Sequence, residues 1–256
     1  MSAVAIECRG MSAPARTGLR VAVLFALLVA IILLMPAFEL LFHRLFPALQ
    51  TPIYQRASFL TLTLSHLGIV AVSSAVVTIA GIAIAIAVTR PRGRAFAGIV
   101  DTITAIGQTF PPVAVLVIAV PLLGFGAAPT VVALVAYGIL PVIDTTVAGL
   151  RSVRPSLLDA ARGMGLASRQ VLFSVELPTA APIILAGVRT SVAISIGTAT
   201  IGSTVGALTL GSPIIEGLSG SNTAYVIEGA IVVGLLAVTI DQAFAWIDLW
   251  LRRHQN

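Results

Sequence analysis

Residues 159–178 read DAARGMGLASRQVLFSVELP and form a polar segment between two long apolar stretches. Four arginines lie in this segment or just before it: Arg151, Arg154, Arg162 and Arg169. A charged, helix-forming loop of this length between apolar runs is typical of a surface on which a soluble protein docks. An amphipathic loop that lies on the inner leaflet, with its arginines at lipid headgroups, explains the same residues equally well.

The composition of the chain is that of an integral membrane protein. Of its 256 residues, 58% are hydrophobic and only 10% are charged, and the mean hydropathy is +1.06. A soluble domain carries about 25% charged residues, so too few charges remain here to cover a water-facing surface. The net charge is +5, but the arginines cluster in loops between apolar runs, which indicates membrane topology rather than nucleic-acid binding.

Six apolar segments are long enough to cross a bilayer as helices, which takes about 20 residues each. The predicted fold is therefore an all-α polytopic membrane protein with a single transmembrane domain over 19–251. The predicted spans are 19–41, 62–88, 99–123, 130–150, 182–208 and 224–251. A tail over 1–18, a loop over 151–181 and a tail over 252–256 complete the chain.

The first apolar run has features of a signal peptide, since Arg16 and Arg20 precede it. The run is long for that purpose, and the sequence Met-Pro-Ala at 35–37 is a poor cleavage site. We therefore expect an uncleaved first span.

Arginine asymmetry predicts the orientation of the spans. If the N-terminus is inside, the inner segments hold most of the arginines and the outer segments hold only Arg44 and Arg56. The positive-inside rule then places both termini and the loop over 151–181 in the cytoplasm. The single cysteine, Cys8, allows no intrachain disulfide.

Local signals predict a helix in the first half of the polar segment. Ser156 and Asp159 match a capping pattern at the start of a helix over 157–164. Gly163 and Gly165 then end or bend that helix, because glycine tolerates a left-handed conformation at a helix end.

A second short helix is predicted over 169–177. Ser168 would cap its start, and Pro178 would end it, because the residue before a proline disfavours helical geometry. The segment is thus predicted to form a helix, a glycine turn and a helix.

The spacing of the segment resembles the E-A-A-x3-G-x9-I-x-L-P signature of ABC importer permeases. Asp159 stands in place of the usual glutamate and Val175 in place of the usual isoleucine. The matching residues are Asp159, Ala160, Ala161, Gly165, Val175, Leu177 and Pro178. The resemblance implies that these residues form the loop that couples the permease to its ATP-binding subunit.

Other stretches resemble permeases for osmoprotectants such as glycine betaine, choline and carnitine, and in particular the Yeh-type betaine permeases. These stretches are GQTFPPVA at 107–114, PLLGFG at 121–126, AGVRTS at 186–191 and IGTATI at 196–201. The resemblance covers nearly the whole chain from about residue 20. It implies a type I importer (MetI-like) permease fold in a bacterial cytoplasmic membrane.

The same resemblance implies the partners and the chemistry. ATP and magnesium would be used by a separate ATP-binding subunit, and this chain would be a transporter subunit with no cofactor rather than an enzyme. An extracytoplasmic solute-binding protein would deliver the solute. A second permease subunit, identical or related, would complete the pathway.

Ionisable residues at membrane depth are functional hypotheses. Asp144 and Arg189 lie in the fourth and fifth predicted spans, and we expect them to pair and hold these spans together; a contact with the substrate is the less favoured alternative. Glu228 and Asp241 lie in the sixth predicted span without an assigned role. Glu228 could contact an extracytoplasmic partner, or it could make a buried hydrogen bond between helices.

The aromatic residues form no cage for a quaternary ammonium ligand, which aromatic faces hold best. Phe110 and Tyr137 are candidates for the pathway or its gate. Pro111 and Pro112 follow Phe110 and predict a kink in the third span, since proline frees carbonyls and bends a helix.

Two other functions remain open at the level of the sequence. A self-sufficient carrier driven by an ion gradient would use Glu228, Asp241 and Asp144 as its ion sites. A membrane anchor for a cytoplasmic complex would explain the polar segment but not six spans broken by proline and glycine. The chain has no phosphate-binding loop of the Walker type, and His43, His66 and His254 are too dispersed for a metal site.

Overall fold

The computed structural model describes residues 13–253, and every regular element in that range is helical. The first three α-helices of this range are α1 over Ala13–Leu34, α2 over Glu39–Leu45 and α3 over Phe59–Thr89. The remaining helices are α4 (Ala97–Thr109), α5 (Pro112–Leu123), α6 (Ala127–Arg151), α7 (Pro155–Gly163), α8 (Ser168–Val171), α9 (Leu177–Ile201), α10 (Gly211–Ser219) and α11 (Thr223–Arg253). A π-helical turn over Leu172–Glu176 joins α8 to α9.

Five stretches of this structure are long and apolar enough to cross a membrane: Pro14–Leu45, Phe59–Thr89, Ala127–Arg151, Ser168–Val205 and Thr223–Leu251. They correspond to the first, second, fourth, fifth and sixth predicted spans. The fold class predicted from the sequence is therefore confirmed. The third predicted span appears as a bent pair of helices, and counting it as one span gives six.

The third span is broken between α4 and α5, where the helix axis turns by 98°. The sequence predicts one kinked span over 99–123, so the break is sharper than expected. Phe110 and Pro111 both adopt extended backbone, with ψ near 135° and 132°. Each precedes a proline, and a residue in that position is driven out of helical geometry.

The helices form two compact units whose boundaries lie inside α3 and α9. In the unit made of residues up to 68 and from 199 onward, α1 and α10 both pack against α11. Glycines allow close approach in this unit. A Cβ added to Gly229 of α11 would lie 2.6 Å from Ile214 of α10, and one added to Gly211 of α10 would lie 1.9 Å from the carbonyl oxygen of Thr200 at the end of α9.

The second unit covers residues 69–198 and contains the polar segment. Within this unit, α6 and α9 approach each other closely at glycines. A Cβ added to Gly187 would lie 1.8 Å from the Thr145 hydroxyl oxygen, and one added to Gly138 would lie 2.7 Å from that of Ser191. Close approach through small residues is the usual way in which membrane helices pack, because lipid leaves van der Waals contact as the main attraction.

Candidate functional site: the polar segment before the fifth span

The first helix of the segment, α7, begins at Pro155 with Arg154 as its N-cap. The predicted capping by Ser156 is wrong, because Ser156 lies inside the first turn and the cap has no side-chain hydrogen bond. The start of the helix is favoured by Pro155 instead, since proline at the first helical position has a suitable φ and lacks only an N–H that would be unpaired there. Asp159 lies one turn further on, and its carboxylate is 3.4 Å from the guanidinium of Arg162.

A Schellman motif closes α7 at Gly165. The Gly165 N–H donates to the Arg162 carbonyl at 2.9 Å, and the Leu166 N–H donates to the Ala161 carbonyl at 3.2 Å. Gly165 has a φ of +83°, the left-handed conformation that this motif requires. The glycine turn predicted from the sequence is present, and Gly165 is its pivotal residue.

The second half of the segment differs from its prediction. The N-cap is Ala167, whose N–H donates to the Gln170 side chain at 2.8 Å, so Ser168 is not the cap. The helix also continues through Pro178 and forms one membrane-length stretch over Ser168–Val205, rather than a new span near residue 182. The π turn just before α9 explains this, because its wider spacing accommodates a residue that has no N–H to donate.

The segment has an exposed face and an anchored face. Asp159, Ala160 and Gly165 are exposed, and Met164 is 75% exposed. Ala161 is only 2% exposed, so it packs against its own chain rather than offering a flat surface to a partner. The two neighbouring alanines of the signature thus differ in exposure.

The C-terminal residues of the signature attach the segment to the second unit. Val175 and Leu177 are half-buried, and Pro178 is exposed. Leu177 packs against a buried cluster whose members are Leu150, Leu172, Ala180 and Ile184. The anchored face therefore rests on α6, the π turn and α9.

An ion pair that no sequence motif indicated lies behind this face. Arg90 follows the last residue of α3, and its guanidinium binds the carboxylate of Glu176 in the π turn. Glu176 occupies the variable position between Val175 and Leu177 of the signature, so the motif gave no reason to single it out. The signal available was a carboxylate in an otherwise apolar run and an arginine-rich turn after the second span.

Tyr137 lines a pocket of about 390 Å³ together with Leu140, Pro141, Thr190 and Ile194. Because Pro141 has no N–H, the carbonyl of Tyr137 one turn earlier loses its helical hydrogen bond. Phe110 is exposed at the break between α4 and α5 and does not line this pocket. The structure therefore separates the two aromatic residues that were considered together for the pathway.

Asp144 lies on α6 with an exposed side chain, and Arg189 lies on α9 with a half-buried one. Both make interactions within the chain. Their pairing with each other stays a prediction.

Glu228 lies in the other unit and is fully buried. One oxygen of its carboxyl group accepts the backbone N–H of Tyr54 at 3.0 Å. Glu228 is therefore an internal anchor for the loop between α2 and α3. Its contact with an extracytoplasmic partner stays a prediction. Burial, followed by the nearby charge of Glu216, raises the pKa of Tyr54 in that loop.

The same loop is held by a surface ion pair, since Arg56 lies 2.7 Å from the carboxylate of Glu216 in α10. Asn222 also donates from its side chain to the Thr51 carbonyl at 2.9 Å. Among residues 13–253, no group of three or more histidine, cysteine, aspartate or glutamate side chains could hold a metal ion. His254 lies outside the described residues.

Comparison with known proteins identifies the kind of molecule to which this site belongs. Residues 78–253 match the model of the family described as "Binding-protein-dependent transport system inner membrane component". The osmoprotectant import permease protein OsmY of Salmonella typhimurium is 37% identical over 206 residues, which are 80% of this chain and 87% of that protein. The choline transport system permease protein OpuBB of Bacillus subtilis is 40% identical over 164 residues, or 64% of this chain and 76% of that protein.

A solved structure shares the fold. The inward-facing MetNI methionine ABC transporter, in its native crystal form, has a chain that superimposes with a TM-score of 0.66 at 22% identity. The match covers 75% of this chain and 95% of that one. The polar segment thus lies in a chain with the permease fold of an importer.

Proposed function

This chain belongs to the family of binding-protein-dependent transport system inner membrane components, and we propose that it forms the translocation pathway of an importer for quaternary ammonium compatible solutes. It is a multi-pass protein of the cytoplasmic membrane and a transporter subunit, not an enzyme. Assignment to the Yeh-type branch of these permeases stays a prediction.

The polar segment is proposed as the surface that meets the ATP-binding subunit. The observation that carries this proposal is the combination of an exposed helix α7, which presents Asp159, Ala160 and Met164, with an anchored second half. An exposed methionine offers adaptable apolar contact. A displacement of α7 by the motor would reach α9 through α8 and the π turn, since α7 packs against both and they continue into α9 as one stretch over Ser168–Val205.

The partners follow from the family at a coarse level: importers of this kind work with an ATPase, a solute-binding protein and a second permease. We propose that ATP and magnesium are bound by the separate ATPase subunit and that this chain carries no cofactor. The second permease would be another copy of this chain or a related one. ATP can drive the switch between inward- and outward-open states only through a different affinity for the two.

The proposed solute class rests on the relatives. The protein from Salmonella typhimurium is an osmoprotectant import permease, and that from Bacillus subtilis belongs to a choline transport system. Glycine betaine, choline and carnitine are therefore the first solutes to test. Amino acids, ergothioneine and sulfonates are the alternative cargoes, and a carrier driven by an ion gradient is not favoured by the family assignment.

The Tyr137 pocket is proposed as part of the pathway. Its lining combines Tyr137 and Thr190 with apolar side chains. An aromatic residue in such a lining suits a weak and transient contact with a cationic methylammonium group. We also propose that Phe110 and Pro111–Pro112 mark a flexible joint near the pathway, because the span is interrupted there. We further propose, from the arginine asymmetry, that both termini and α7 lie in the cytoplasm.

Uptake in proteoliposomes tests the proposal. The complex of this chain, its ATPase and its solute-binding protein would be supplied with ATP inside and radiolabelled glycine betaine, choline or carnitine outside. ATP-dependent accumulation of one of these solutes, without accumulation of methionine or histidine, is expected. Accumulation of an amino acid alone would overturn the proposed solute class, and accumulation driven by a proton gradient without ATP would overturn the importer mechanism.

A further inference from the structure

The ion pair between Arg90 and Glu176 has a forked geometry. One guanidinium nitrogen donates to one carboxylate oxygen at 3.2 Å, and the other nitrogen donates to the second oxygen. The Glu176 side chain is only 8% exposed, and that of Arg90 is 33% exposed. A bidentate arginine–carboxylate pair fixes both distance and orientation.

The backbone holds Arg90 firmly at its end of the pair. The Arg90 carbonyl accepts the N–H groups of Gly93 and Arg94, both at 3.0 Å, in the turn that follows α3. This turn lies tightly on the last turn of α3, since a Cβ added to Gly93 would be 2.0 Å from the Ala87 carbonyl oxygen. Arg90 is therefore a fixed point at the end of the second span.

Glu176, the other partner of the ion pair, lies in the π turn between α8 and α9. Single π turns inside helices are frequent at functional sites. The turn also makes apolar contacts: Leu172 belongs to the cluster with Leu150 and Ala180, against which Ile82 and Ile86 of α3 also pack. Apolar contacts are non-directional, so they allow α3 and the π turn to slide, whereas the forked ion pair fixes their register.

We propose that Arg90 and Glu176 are positioning residues that lock the π turn to the end of α3, so that a displacement of α7 is passed to the second span as well as to the fifth. The inference rests on the proposed docking of the ATPase at α7. It follows from α7 packing against the π turn and α8. The ion pair connects that packed unit to α3. Without the pair, α3 would follow a displacement of α7 less closely, because the apolar contacts of Ile82 and Ile86 can slide.

The test compares solute uptake per ATP hydrolysed in proteoliposomes. Arg90→Ala and Glu176→Gln each remove the fork, and Arg92→Ala is the matched control because Arg92 is exposed in the same turn. We expect the ratio to fall at least about tenfold for the two fork variants, as befits the loss of one partner of a mostly buried pair, and to stay unchanged for Arg92→Ala. Arg90→Lys, which keeps the charge but not the fork, should give an intermediate ratio.

Rescue distinguishes positioning from stability. The combined exchange Arg90→Glu with Glu176→Arg should restore the ratio to within about threefold of the original protein, since the pair is remade. Fork variants that have reduced thermal stability but an unchanged ratio per assembled complex would overturn the inference. Arg90→Lys keeps that comparison available if Arg90→Ala does not fold.

One further variant separates this inference from the proposal beneath it. Ala160→Glu alters only the exposed face of α7. If Ala160→Glu blocks uptake while the fork variants keep the original ratio, docking stands and the positioning role fails. If Ala160→Glu keeps full ATP-driven uptake, the docking proposal itself fails.

Discussion

Replacing Gly165 with alanine is expected to weaken the coupling segment through the backbone alone. Gly165 has a φ of +83°, and no heavy atom lies within 4 Å of the position that a Cβ would occupy. The cost is therefore conformational, about 1–2 kcal/mol for an L-residue in the left-handed region. That amount corresponds to a change of about 5- to 30-fold in an equilibrium constant.

Gly163 is the matched control, because it ends α7 two residues earlier and its Cβ position is also open. Gly163→Ala has no positive φ to oppose and gains up to about 1 kcal/mol of helix propensity. Gly165→Asn should fall between the two, since asparagine is accepted at the left-handed position of a helix end.

Two measurements test the predicted effect of Gly165→Ala. The affinity of the ATPase subunit for the permease in nanodiscs should fall by the factor given above for Gly165→Ala and should not fall for Gly163→Ala. Hydrogen exchange at the Leu166 amide should accelerate in Gly165→Ala, because its bond to the Ala161 carbonyl closes the motif. Equal affinities and equal exchange rates in the two alanine variants would contradict the predicted need for a left-handed residue at position 165.

Four further outcomes are expected. Gly187→Ala should lower the stability of the purified chain by about 1–3 kcal/mol through overpacking, since its Cβ would lie 1.8 Å from the Thr145 hydroxyl oxygen. Gly197→Ala on the same helix has open space and should be neutral, so equal melting temperatures for the two variants would contradict this prediction. Ala161→Glu should prevent stable folding because Ala161 is buried, while Ala160→Glu should change stability by less than about 0.5 kcal/mol and still weaken ATPase binding; thermal melts and pull-downs separate them. Glu228→Gln should retain the acceptor for the Tyr54 N–H, whereas Glu228→Leu should lower the stability by about 1–3 kcal/mol because it leaves a buried donor unpaired. Arg56→Ala should lower the stability by less than about 1 kcal/mol, since it removes an exposed ion pair. A larger loss of stability for Arg56→Ala than for Glu228→Leu in thermal melts would contradict this ranking. With Cys8 replaced by serine, a cysteine at Ser219 should react with an impermeant maleimide in intact cells and one at Ser156 only after permeabilisation; the reverse pattern would invert the topology.

Composition and arginine placement were enough to predict an all-α polytopic protein, because spanning lengths and loop charges are physical requirements of a bilayer. Glycine chemistry also predicted the turn at Gly165, since few residues other than glycine adopt its conformation readily. These features depend on a single residue type at a single position, which a sequence displays directly.

Other features depended on contacts that a linear pattern does not show. Pro178 was expected to end a helix, but the preceding π turn lets the helix continue through it. Ser156 matched a capping pattern, yet Pro155 determined where the helix begins. The Arg90–Glu176 pair joins residues 86 positions apart, so no local motif could have indicated it.

The exposed face of α7 is proposed to meet the ATP-binding subunit, and cross-linking is the decisive test of that contact. In a background with Cys8 replaced by serine, a cysteine at Ala160 would be cross-linked in the assembled complex with a short bifunctional reagent, and a cysteine at Ser219 would serve as the control. The account predicts a covalent product with the ATPase subunit from the Ala160 position only, together with loss of ATP-driven uptake. An Ala160 cysteine that forms no product with the ATPase, in a complex that still accumulates solute on ATP, would contradict it.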